Sequence, residues 1–122
     1  MEAGTLMVKR LVLASCALLI AGCAAPTRPL YQWGTYEELI YQSWREPGSM
    51  PVEKQVELLQ HDYQQGQAQN MRMPPGWHAH LAMLYARMGR HDEAIKELGV
   101  EKAEFPESGV FVERMLANMK GS

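Results

Sequence analysis

The chain has few cysteines, no strong excess of one charge and no long apolar run, and each of these absences narrows what it can be. It has two cysteines, Cys16 and Cys23, among 122 residues. Twelve basic and fourteen acidic residues leave a formal charge of −2, too small to indicate nucleic acid or an anionic membrane surface as a partner. The longest uncharged apolar stretch, residues 11–20, falls far short of the ~20 residues that a membrane-spanning helix needs.

This apolar stretch is typical of a secretory signal peptide. It follows Lys9 and Arg10 and ends in small residues, the order of charged region, apolar region and cleavage site. The alternative, a transmembrane helix with an incidental cysteine, is disfavoured by its length and by the residues that follow: Pro26, Arg28 and Pro29. The start codon stays open, since Met7 would begin a more ordinary charged region than Met1.

The sequence Leu-Ile-Ala-Gly-Cys at residues 19–23 resembles the lipobox of bacterial lipoproteins. In those proteins the cysteine thiol is alkylated by a diacylglyceryl group, the chain is cut before it, and the new amino terminus is acylated. A cysteine is required because its thiolate is the nucleophile. We therefore expect a cleaved signal peptide over residues 1–22, a lipidated terminus and tether over residues 23–35, and a domain over residues 36–122. No cofactor is expected beyond the diacylglycerol and N-acyl chain on Cys23.

Cleavage before Cys23 leaves 100 residues with a formal charge of −3. Cys16 leaves with the signal peptide and Cys23 is acylated, so no disulfide can form and packing alone must stabilise the domain. Ala24 stands where an aspartate would retain a lipoprotein at the inner membrane. We therefore expect attachment to the outer membrane, with the domain facing the periplasm.

The rest of the chain has helical patterning, and no segment alternates with period two for long enough to form a sheet. Thr35 and Glu38 have the spacing of a capping box, and Pro51 suits the first position of a second helix. Residues 66–76 read as a turn, Asp92 as the N-cap of a fourth helix and Ser108 as the cap of a fifth. The predicted fold is all-α, with about five helices in antiparallel pairs.

Residues 75–108 resemble one tetratricopeptide repeat, a helical hairpin in which small and aromatic residues interlock two antiparallel helices. Leu98 stands where an aromatic residue is more usual, and Glu101 where a small residue is expected. The latter argues against a further full repeat, so the fifth helix is expected to cap the hairpin. The predicted packing residues are Leu81, Ala82, Tyr85, Gly89, Ala94, Leu98 and Pro106.

Three motifs stand out along the chain: the run from Tyr31 to Glu37, the segment from Pro75 to Gly89, and the segment from Glu101 to Ser108. Together they resemble a family of small bacterial lipoproteins, DUF4810. The resemblance implies a tetratricopeptide-like envelope lipoprotein without an assigned activity. It also implies a complex with other envelope lipoproteins, because members are typically encoded beside one of curli-secretion type.

Metal binding and catalysis find little support in the sequence. His78 and His80 lie about 200° apart around a helix, and with His91 they do not form the i, i+4 pair typical of helical zinc sites. We expect them to serve in packing or surface hydrogen bonds. Glu101 and Glu104 could act as paired carboxylates, although acids on amphipathic helices are usually solvated. The chain is therefore not expected to be an enzyme or to take a small-molecule substrate.

Aromatic residues are the best candidates for contact with a partner, because Trp and Tyr are enriched at interaction hot spots. The alternative is that they pack in the core. We expect a membrane-anchored, non-catalytic adaptor that binds other envelope proteins through these residues or the concave side of the repeat. The alternative function is a regulatory cofactor of a peptidoglycan synthase. The candidate protein-binding residues are Tyr31, Trp33, Tyr36, Trp44 and Trp77.

Overall fold

The computed structural model describes residues 1–21 and 27–121, and within them the protein is all-α, as predicted. A short 3-10 turn, Pro106–Ser108, precedes the last helix. Cys23 and Ala24, on which the predicted acylation and sorting depend, lie outside the described residues. The helices are α1 (Glu2–Ala21), α2 (Tyr36–Arg45), α3 (Val52–Ala68), α4 (Trp77–Arg87), α5 (His91–Glu104) and α6 (Gly109–Lys120).

Helix α1 coincides with the predicted signal peptide and accounts for the difference between about five predicted helices and the six observed. The side chains of residues 1–15 are all exposed. No helix in the described parts of the chain combines the length and apolar character needed to cross a membrane.

Helices α4 and α5 form an antiparallel hairpin at the centre of the domain. Gly89 joins them with φ of +74°, a conformation that glycine adopts without steric cost, and the Arg90 amide donates to the Tyr85 carbonyl at 2.9 Å. His78 near the start of α4 contacts Glu97 at the middle of α5, and the Gly76 amide before α4 donates to Glu101 near the end of α5. Ala82 and Ala94 are fully buried, since their small side chains let the two helices approach closely.

Helices α2, α3 and α6 pack around this hairpin. Helix α3 contributes Val56 and Leu59 to the core, α6 contributes Val112, and α2 contributes Leu39. The buried core comprises Leu39, Val56, Leu59, Met73, Trp77, Ala79, Leu81, Ala82, Leu84, Tyr85, Ala94, Leu98 and Val112.

The chain packs on the helical domain from Tyr31 onward. Tyr31 lies five residues before α2, and so before the expected domain boundary at residue 36. The Gln32 amide donates to the Arg72 carbonyl at 2.8 Å, in a parallel bridge between Tyr31 and Arg72. The Tyr31 ring lies edge-on to Phe105, with 6.1 Å between ring centroids. Tyr31 and Gln32, which were expected to belong to the tether, therefore pack on the domain.

Several predicted helix ends differ from those observed. The Thr35 hydroxyl donates to Asp62 Oδ2 at 2.6 Å and makes no cap to α2, so the predicted capping box is wrong. Helix α3 continues through Gly66 to Ala68, so the turn begins later than predicted. The N-cap of α5 is Arg90, and Asp92 lies in its first turn.

Candidate protein-interaction surfaces

The five aromatic residues predicted to contact a partner occupy different environments. Trp77 is 1% exposed and stacks on Tyr63 at 5.8 Å, so it belongs to the core and presents no surface to a partner. Tyr31 and Tyr36 are half-buried. Trp33 and Trp44 are exposed, with 42% and 79% of their surface accessible.

Trp33, Tyr36 and Trp44 come together on one side of α2. Tyr41 and Ile40 complete an open groove of about 430 Å³ with them, and Glu37 is the only acid in its lining. We call these six residues the aromatic surface. Trp33 stacks on Tyr36 at 6.5 Å, so a residue of the segment before α2 and the first residue of α2 form one continuous apolar area.

A second groove, of about 380 Å³, lies between α2, the loop that follows it, and α4. We call it the α2–α4 groove. Its apolar wall includes Ile40, Met50 and Met83, and its polar lining includes His80 and Arg87. Sequence reasoning did not single out this groove. The signal was present, because His80, Met83 and Arg87 follow one another at i, i+3 and i+7 and so form a second stripe along α4.

His80 is half-buried at this groove and packs against α2, one of the two uses expected for it. Its ring lies 5.8 Å from that of Tyr36. Burial, together with the nearby Arg87 cation, lowers the pKa of His80 below its ordinary value of 6.5. Burial and the Glu101 carboxylate raise the pKa of Tyr36. At neutral pH the contact therefore joins a neutral imidazole and a neutral phenol.

His78 faces away from this groove. It is 3% exposed, and its Nδ1 lies 2.7 Å from Glu97 Oε2, so Nδ1 carries the proton and donates to the carboxylate. His78 and His80 thus have different neighbours. In the chain as described, residues 1–21 and 27–121, no group of three His, Cys, Asp or Glu side chains is arranged to hold a metal ion.

Glu101 is fully buried, so the expectation of a solvated acid is wrong for this residue. Its Oε1 accepts a hydrogen bond from the Gly76 amide at 2.7 Å and from the Ser108 hydroxyl at 3.3 Å. The carboxylate therefore holds the start of α4 and the turn before α6 to the end of α5. Glu104 instead faces Arg72 at 3.7 Å, so the two acids do not act as a pair.

Five of the seven residues predicted to pack the repeat are buried in the α4–α5 hairpin, and Gly89 and Pro106 are exposed. Leu81, Ala82, Tyr85, Ala94 and Leu98 are buried. The Tyr85 hydroxyl accepts a hydrogen bond from Gln60 Nε2 at 2.9 Å, which adds α3 to this interface. Gly89 provides the turn, and Pro106 begins the 3-10 turn after α5.

The model of one protein family matches the chain over residues 30–115, and that family is described as a domain of unknown function, DUF4810. The matched residues include α2 to α5 and about half of α6. No curated protein and no solved structure matches the chain.

Proposed function

The chain belongs to the DUF4810 family, and we propose that it is a lipid-anchored envelope lipoprotein that acts as a non-catalytic adaptor. In this proposal the α4–α5 hairpin is a tetratricopeptide-like repeat, and a segment of another envelope lipoprotein binds in the α2–α4 groove. The observation that carries the proposal is this groove, which leaves apolar side chains open to solvent between two helices.

The lining of the groove suits a protein segment. Met83 is 47% exposed, so it would lose a large apolar area on binding. Methionine side chains adapt to irregular partners, and Met50 lines the same groove. Glu46 and Arg87 also line the groove, and they give it charged groups of both signs beside the apolar wall, as in interfaces with a polar rim.

The proposed membrane attachment is supported by the sequence. Cys23 follows an apolar stretch and two small residues, the order in which a lipobox presents its thiol. Diacylglyceryl and N-acyl chains would hold the protein firmly, because each buried methylene contributes about 0.8 kcal/mol. With Ala24 next to the cysteine, we propose the outer membrane as its location and the periplasm as the compartment of the domain.

Affinity capture of the acylated protein from a detergent-solubilised envelope tests the adaptor function. Met83→Glu places a charge in the groove, and we expect it to abolish capture of envelope lipoproteins that the wild type retains. Ile95→Glu is the matched control, since Ile95 is also apolar, 40% exposed and not part of the groove lining.

The identity of the captured protein separates the two candidate functions. Envelope lipoproteins that wild type and Ile95→Glu capture, and that Met83→Glu does not, support the adaptor. A peptidoglycan synthase with the same pattern of capture supports the regulatory cofactor. Equal capture by both variants and the wild type would show that the groove binds no partner.

A further inference from the structure

We infer that the aromatic surface docks onto the lipid headgroups of the membrane that holds the acyl chains, so that one face of the domain lies on the bilayer. This inference rests on the lipid anchor of the proposed function. It assigns the aromatic surface to lipid, including Ile40 and Trp44, which also border the α2–α4 groove. The rest of that groove, with Met50 and Met83, is left to the protein partner.

The side chains of the aromatic surface have the chemistry of a membrane interface. Trp33, Tyr41 and Trp44 are 42%, 55% and 79% exposed, and they line one groove with Ile40. Trp and Tyr concentrate at headgroup level because their rings are apolar and their N–H and O–H groups need polar partners. Arg45 Nη1 donates to the Tyr41 hydroxyl at 3.0 Å, so a cation accompanies the aromatic rings.

The length of the chain before the domain brings this surface to the bilayer. Trp33 is ten residues after Cys23, and packing on the domain begins at Tyr31, eight residues after Cys23. Eight residues span at most about 28 Å when fully extended. The acyl chains therefore hold the aromatic surface close to the membrane at a high effective concentration, and even a weak contact is occupied.

An exposed apolar area on α6 does not share these properties. It consists of Val110 and Phe111 on α6, contains neither Trp nor Tyr, and lies more than 80 residues after Cys23. Charge indicates which lipid to use as a probe. Glu37 lines the aromatic surface and the cleaved chain has a formal charge of −3, so zwitterionic lipid should suffice and anionic lipid should add little.

Tryptophan fluorescence of the acylated protein in phosphatidylcholine vesicles tests the inference, because the chain provides its own reference. Trp33 and Trp44 are exposed and Trp77 is buried. Bromine atoms on the upper acyl chains quench indoles at the membrane interface, and aqueous iodide quenches indoles in water. We expect brominated lipid to quench part of the emission and to leave a residual signal from Trp77.

Two variants assign the quenched signal. Trp33→Phe combined with Trp44→Phe should lose the part quenched by brominated lipid, while Trp77 continues to report a folded core. Adding Phe111→Trp to this double variant places an exposed indole away from the aromatic surface, because Phe111 is 53% exposed on α6. That indole should respond to iodide and not to brominated lipid.

Three results would overturn the inference, and each of them indicates a different reason for its failure. Quenching of Trp33 and Trp44 by iodide alone would show that the surface faces water. Protection from both quenchers would show that a protein, including a second copy of this chain, covers it. Failure of the protein to float with the vesicles would remove the lipid anchor and the docking together, whereas in the first two results the anchor stands.

Discussion

Gly34 and Gly48 share a left-handed backbone but differ in what surrounds them. Their φ angles are +50° and +82°. A Cβ atom on Gly34 would collide with the Asp62 carboxylate, whereas a Cβ atom on Gly48 would meet nothing within 4 Å. The Asp62 carboxylate also accepts hydrogen bonds from the amide and hydroxyl of Thr35. Because Gly34 has no Cβ atom, the Asp62 carboxylate can lie beside it and accept the hydrogen bonds that hold the start of α2 to α3.

We expect Gly34→Ala to destabilise the domain more than Gly48→Ala. Both changes carry the cost of a left-handed alanine, about 1–2 kcal/mol, and only Gly34→Ala also displaces Asp62. Urea unfolding of the purified domain beginning at residue 24 measures both free energies. Equal losses would mean that the contact between α2 and α3 contributes nothing measurable.

His80 should make the stability of the domain depend on pH. Its pKa is lower in the folded protein than its ordinary value of 6.5, so the unfolded chain binds the proton first as the pH falls. The free energy of unfolding is therefore unaffected by His80 above about pH 6.5, and it decreases as the pH falls from there through the folded-state pKa. Protonation would also place a second cation beside Arg87.

The measurement is the melting temperature of wild type and His80→Gln at about pH 7.5 and about pH 5. We expect a smaller fall for His80→Gln than for wild type. His61→Gln, which replaces an exposed histidine on α3, is the control for the loss of a histidine elsewhere. Identical falls for wild type and His80→Gln would contradict the assignment.

At the scale of the elements, the closeness of α4 and α5 can be tested with two alanines of the same helix. Ala94 is fully buried against α4, and Ala103 is exposed on α5. We expect Ala94→Leu to cost about 1–3 kcal/mol by overpacking and Ala103→Leu to stay within about 0.5 kcal/mol. Thermal melts measure both losses. If both variants melt like wild type, α4 and α5 do not approach each other as closely as described.

Helix α2 differs from α4 in how little of it is buried, and this explains why it borders both proposed interaction surfaces. Leu39 is its one buried residue. Its first turn is fixed through Thr35 and Asp62 and through the contact of Tyr36 with His80. Its second half extends past these contacts, so Tyr41 and Trp44 stay exposed. One helix thus borders the aromatic surface and the α2–α4 groove.

At the scale of the whole molecule, the proposed attachment depends on one thiol and can be tested with the two cysteines. We expect Cys23→Ser to retain residues 1–22 and to lose the mass of the acyl chains, because serine lacks the thiolate that takes the lipid. Cys16→Ser is the matched control, since Cys16 lies within the segment that is removed. Mass spectrometry of the intact protein reads out both. Mature wild-type protein that begins elsewhere and carries no lipid would disprove the attachment.

The sequence by itself determined the fold class, the family and the α4–α5 hairpin. The all-α prediction is confirmed, and the DUF4810 assignment is confirmed over residues 30–115. The hairpin was predictable because its signals are local. Apolar residues recur at helical spacing along α4, and Gly89 and Pro106 follow the ends of α4 and α5, where residues of these types stop a helix.

Only the tertiary structure decided which polar and aromatic residues are buried and which are open to a partner. Thr35 finds Asp62 at a separation of 27 residues, and Glu101 binds the Gly76 amide across 25 residues. A helical pattern cannot reveal such partners, because it reports only neighbours within a turn or two along the same helix. For the same reason Trp77 and Trp44 looked alike as candidates. One of them packs beneath Tyr63, while the other projects from the end of α2 into solvent.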